Sequence, residues 1–108
     1  ALTLLNGPTF IEAARATAAR VLATAAKSDA ERLVTLTKTC LSREPSTSEL
    51  RLLQTLITEQ REVFNSNQEQ ALKVCQSSAP PDCSSVEFAT WVVASRVILN
   101  LDEFISRE

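Results

Sequence analysis

Apolar residues recur along this chain at intervals of three and four, the spacing that gathers side chains on one face of an α-helix. The first such stripe, Phe10, Ala13, Ala14, Thr17, Val21, Leu22 and Ala25, predicts a helix from about Pro8 to Lys27. A second, Leu33, Leu36, Cys40 and Leu41, predicts one from about Asp29 to Leu41. The third, Leu50, Leu53, Leu56, Ile57, Val63 and Phe64, runs from about Thr47 to Asn65 and leaves Gln54, Thr58, Glu59, Arg61 and Glu62 mostly outside. A short fourth helix spans about Asn67 to Cys75. The fifth, about Ser85 to Ile105, has apolar residues around most of its circumference, from Phe88 and Trp91 through Val97 and Ile98 to Leu101, Phe104 and Ile105. A helix apolar on nearly every side is one surrounded by others. The expected fold is therefore all-α: five helices in an orthogonal or bundle-like array around a buried C-terminal helix.

Polar residues mark where the helices begin. Ser28/Glu31, Ser46/Glu49, Ser66/Glu69 and Ser84/Glu87 each place a serine three residues before a glutamate, the spacing of a reciprocal cap in which each side chain serves the other's backbone amide. Pro8 suits a first helical position, where its missing amide hydrogen leaves no bond unmade. The proline-containing "SREP" and "QSSAPPD" segments are connections, the second an extended, stiff excursion.

The 108 residues fit a single domain, and the helix-exit look of "ALTLLNGP" suggests the C-terminal part of a longer chain. One glycine in the whole sequence argues against phosphate-cradling loops and tight hairpins. The absence of histidine removes the commonest general base, metal ligand and haem axial ligand from this chain. A net charge of −2 provides no basic footprint for nucleic acid. Arg96 and Asn100 interrupt the longest apolar stretch short of the roughly 20 residues a bilayer crossing requires. No membrane span is predicted.

Four groups of residues could carry chemistry. Arg96 lies within an otherwise apolar helix, where an unpaired buried charge costs several kcal/mol. Arg96, Arg43 or both are expected to form structural ion pairs with acids of other helices, the candidates being Glu49, Asp102 and Glu103. Asp102 and Glu103 project about 100° apart as neighbours on a helix, unlike a paired acid and base. Cys75 and Cys83 bracket the proline loop and form the natural couple for a disulfide, worth roughly 2–3 kcal/mol for so short a loop on the chain-entropy model; the residues leave open whether they are bonded. Cys40 sits on an apolar stripe as a small hydrophobe. No catalytic, cofactor or metal-ligating constellation is formed within this chain.

Three strings add context. "ALTLLNGPTFIEAARATAARVL", "LSREPSTSELRLL" and "WVVASRVILNLDEFISRE" together resemble the C-terminal domain of unknown function that closes large secreted planctomycete proteins, many with a c-type cytochrome domain near the N-terminus. Asn6 and Pro8, then Arg43, Pro45, Ser46 and Glu49, then Trp91, Arg96, Asn100, Asp102, Glu103 and Phe104 occupy the pattern, while Gly7 stands where aspartate is common. The resemblance implies an extracytoplasmic setting, which favours a Cys75–Cys83 bond. Its haem motif is missing here, so any haem belongs elsewhere in the parent protein. The apolar "ALTLL" start is expected to cover the remainder of the parent chain, the expected partner, with other secreted proteins as further candidates. The functional expectation is a structural or docking module; the competing one is a wall of an active site, with Arg96, Asp102 or Glu103 facing a cleft completed by upstream residues.

Overall fold

A computed structural model describes residues 8–76 and 79–106, with residues 102–106 described as backbone alone. Five helices follow one another: α1 (Pro8–Leu22), α2 (Asp29–Leu41), α3 (Thr47–Ser66), α4 (Gln68–Cys75) and α5 (Ser85–Ser106). Among the described residues there is no strand.

The helix starts follow the caps, with two differences. Ser46 and Glu49 make the complete reciprocal box: Ser46 Oγ accepts from the Glu49 amide at 3.1 Å and Glu49 Oε1 accepts from the Ser46 amide at 2.8 Å. Ser28 and Ser84 each accept from the amide three residues on, both at 3.1 Å, but the matching glutamates turn elsewhere. Glu31 takes the Lys27 amide at 3.2 Å, and Glu87 is drawn into ion pairs. The expected Ser66/Glu69 cap is replaced: Ser66 is the last residue of α3, and Asn67 caps α4 by accepting from the Gln70 amide at 3.2 Å.

Helix ends depart further from expectation. The first helix stops at Leu22, five residues before Lys27. Its last turn tightens as Thr24 sends both its amide, at 3.2 Å, and its hydroxyl, at 2.6 Å, to the Val21 carbonyl. Ala25 thus falls outside the helix and is exposed. Elsewhere the chain reverses without glycine: Ser42 (φ 58°) and Gln76 (φ 46°) end α2 and α4 in the left-handed region, an excursion that costs a residue with a Cβ roughly 1–2 kcal/mol.

The fifth helix is the central post. It packs against α1, α2, α3 and α4, and each of those touches the next in sequence. The ring is joined across its ends by Arg15 Nε, which donates to the Val74 carbonyl at 2.8 Å. Trp91, Phe88, Ala94 and Ile98 are buried in α5 and meet Ala14, Ala18 and Val21 of α1, Leu33 and Leu36 of α2, Leu53, Ile57 and Phe64 of α3, and Ala71 and Cys75 of α4 in one core cluster. On α1 the inward face is rotated from the expected one: Ala18 is buried and Ala13 exposed. Ala14 and Ala18, one helical turn apart, present methyl groups that let helix axes approach closely. Val63, expected inside, is half exposed.

Candidate functional site

The two ends of α5 offer different environments. At its N-terminal end, Arg61 from α3 reaches two carboxylates at once. Its Nη1 and Nη2 donate to Asp29 Oδ2 and Oδ1 at 2.9 and 3.0 Å, and its Nε and Nη2 donate to Glu87 Oε2 and Oε1 at 3.0 and 2.7 Å. The planar guanidinium is suited to this double fork. Asp29 and Glu87 lie in the first turns of α2 and α5, where partial positive charge from unpaired amides favours carboxylates. Trp91 Nε1 donates to Glu87 Oε1 at 3.0 Å, which allows the indole to be wholly buried. Arg32 Nη1 stands 3.9 Å from the same oxygen, while the buried Arg32 Nε has no hydrogen-bond partner among the described residues.

The electrostatics match a fastening. Hydrogen bonds from Arg61 hold the Asp29 carboxyl below its ordinary value. Burial pushes the Glu87 carboxyl up, but hydrogen bonds from Arg61 and Trp91 outweigh it and the net shift is downward. Arg61 is itself held more firmly protonated by both acids. A general acid at neutral pH needs the reverse, a carboxyl raised toward 6 or 7.

Beside this network lie two cysteines, both present as thiols. Cys75 Sγ donates to the Ser85 carbonyl at 3.2 Å and Cys83 Sγ to the Ser84 carbonyl at 3.5 Å. Burial raises both thiols above the ordinary value, and for Cys83 the nearby charges of Glu87 and Cys75 add to it. Cys40 is half-buried on α2 and packs against the core.

Toward the other end of α5, an apolar groove of about 300 Å³ opens between α2, α3 and α5. Leu52 and Leu56 form one wall and Val97 and Leu101 the opposite one, over a floor of Leu53 and Ile98. Leu52, Val97 and Leu101 are 72%, 37% and 44% exposed, so the apolar wrap expected around α5 is open on this side. The groove's two polar residues are already engaged. Thr37 Oγ1 donates to the Leu33 carbonyl at 2.8 Å, and Glu49, at the rim, receives Arg43 Nη1 and Nη2 at 2.7 and 2.8 Å.

Of the residues singled out in the sequence, the structure joins Arg43 to Glu49, across the α2–α3 connection and at the surface. The Glu49 carboxyl is lowered to about 2, first by Arg43 and then by the Ser46 amide. Arg96 is half-buried, and its carbonyl accepts from Asn100 Nδ2 at 3.0 Å. The side chains of Asp102 and Glu103, and the whole "ALTLL" segment with Asn6 and Gly7, lie outside the described residues. Sequence reading missed the Arg61–Asp29–Glu87 network, placing Arg61 among solvated residues and Glu87 in a cap. The available signal was Trp91 four residues after Glu87, a spacing that brings an indole N–H to a carboxylate.

Among the described residues no three His, Cys, Asp or Glu side chains group to hold a metal ion, and no helix is long and apolar enough to cross a membrane.

These features define a class: a small helical domain with a polar clamp at one end of its central helix and an aliphatic groove toward the other. Residues 1–57 match the family PSD1, described as a protein of unknown function (DUF1553), and the chain belongs to that family. No curated protein matches the chain, and no solved structure does.

Proposed function

We propose that this chain is a structural docking module at the C-terminal end of a secreted, extracytoplasmic multidomain protein with a c-type cytochrome domain elsewhere, and that its groove receives a helix from the remainder of that polypeptide. The groove is the observation that carries the reading. Leu52 and Leu56 on α3, and Val97 and Leu101 on α5, are i, i+4 pairs that line the groove from two helices, and a third helix fits between such ridges by its own i, i+4 row. With Thr37 and Glu49 already bonded, the occupant's buried face is aliphatic and uncharged. The secreted, cytochrome-associated setting rests on the resemblance of the three sequence strings. Haem has no place in the chain's own part, which contributes packing and orientation.

The competing reading, a wall of an active site built from Arg96, Asp102 or Glu103, rests on acids whose side chains lie outside the described residues, and two described acids at cleft rims add nothing to it. Glu49 and Glu87 are tied to arginines and held low, the wrong direction for proton donation near neutral pH.

The test uses the full-length parent. Solvent paramagnetic relaxation of leucine methyls should show Leu52 and Leu101 shielded in the intact protein, and Leu52→Asp should separate this domain from its neighbour in hydrogen exchange. Equal solvent access of both methyls in the intact parent and the isolated chain would overturn the docking reading.

A further inference from the structure

The geometry points to Cys75 and Cys83 as a thiol–disulfide pair that closes on oxidation and locks the end of α4 to the start of α5. Both sulfurs converge on one helical turn. Cys75 Sγ donates to the Ser85 carbonyl at 3.2 Å and Cys83 Sγ to the Ser84 carbonyl at 3.5 Å. Ser84 caps α5 and Ser85 opens it, so both thiols meet the backbone where the helix begins. The two accepting carbonyls belong to consecutive residues, so the sulfurs occupy neighbouring positions at the start of α5. Cys75 ends α4, so a bond there fastens a short helix that otherwise has only eight residues of packing.

Their exposures set an order of events. Cys83 is half-buried and Cys75 buried, so an oxidant of the small-molecule disulfide class, RSSR, meets Cys83 first. The Cys83 thiolate attacks one sulfur of RSSR, an S–S bond breaks and one RS⁻ leaves. The Cys75 thiolate then attacks the Cys83 sulfur of the mixed disulfide and expels the second RS⁻. Two thiol protons pass to the two released thiolates; the protein pair is oxidised by two electrons and RSSR is reduced to two RSH. An oxidising compartment keeps such a bond closed and a reducing one opens it.

The experiment incubates the 108-residue chain with oxidised glutathione and follows it by intact mass and peptide mapping. The expected product is lighter by about 2 Da, carries one link, Cys75 to Cys83, and melts about 10 °C higher than the reduced chain. Cys40→Ser should behave as the parent does, whereas Cys83→Ser should form no internal link. Because Cys75→Ser alters a buried site, Cys83→Ser serves as the variant that keeps the fold. A glutathione adduct that persists on Cys83, a link through Cys40, no reaction, or a Cys75–Cys83 bond formed only in denaturant would each overturn the assignment.

Discussion

The first turn of α5 and the turn from Val97 to Leu101 meet their surroundings in opposite ways. At the first, Glu87 is held by Arg61 and Trp91, and Asp29 shares the same guanidinium. At the second, Val97 and Leu101 face Leu52 and Leu56 across a gap. One helix thus has a first turn closed by directional bonds and, three turns on, an apolar stretch left open. Directional bonds fix helix positions because a carboxylate forced out of register loses its partner and is left partly desolvated. An aliphatic wall makes no such demand and can accept whatever apolar face is brought to it.

The comparison can be broken most forcefully at Trp91. Trp91→Ala removes the largest buried side chain and should cost about 3–5 kcal/mol, measured by urea unfolding monitored by circular dichroism. Next comes Arg61→Met, which strips two half-buried carboxylates of their shared partner. A loss of about 2 kcal/mol is expected, kept modest by partial solvent screening. Arg61→Lys should recover only part of it, since an ammonium cannot fork to both acids.

Acid should sharpen the contrast. Asp29, Glu87 and Glu49 all have folded-state carboxyls below their ordinary values. Between the two values the unfolded chain binds more protons, so their contribution is complete above the unfolded pKa, near 4 to 4.5. It is lost as pH falls through the folded values, with Glu49 persisting to about 2. Stability measured from pH 6 downward should therefore decline below about 4.5, and less steeply in Arg61→Met. The smallest effect belongs to the groove. Leu52→Ser should change the stability of the chain by under about 0.5 kcal/mol, and a loss comparable to that of Trp91→Ala would mean that the groove is part of the core.

Much of the fold was legible in the sequence, for reasons that individual residues show. Ser28, Ser46 and Ser84 announced helix starts because a cap acts over three residues. The density of apolar residues in α5 announced its central place, and Trp91 and Ile98 are buried there. Helix ends were harder to read. The usual glycine signal is missing, and Ser42 and Gln76 take left-handed positions that their side chains do not advertise. The Arg43–Glu49 pair was legible as a candidate because only six residues separate them. Arg61 was not, since its partners lie 26 and 32 residues away and nothing local distinguishes it from the solvated Glu59 and Glu62.

Local chemistry alone settled that this chain is helical, where its helices begin and which of them lies at the centre, because capping and periodicity act within a turn or two of the backbone. The rotation of each helix about its axis was decided only by packing, where small side chains such as Ala14 and Ala18 set which faces approach. That rotation placed Arg61 between Asp29 and Glu87, brought two thiols onto one turn, and left Leu52, Val97 and Leu101 without a covering helix among the described residues. Such outcomes depend on the mutual fit of surfaces distant in sequence, which no short window of residues encodes.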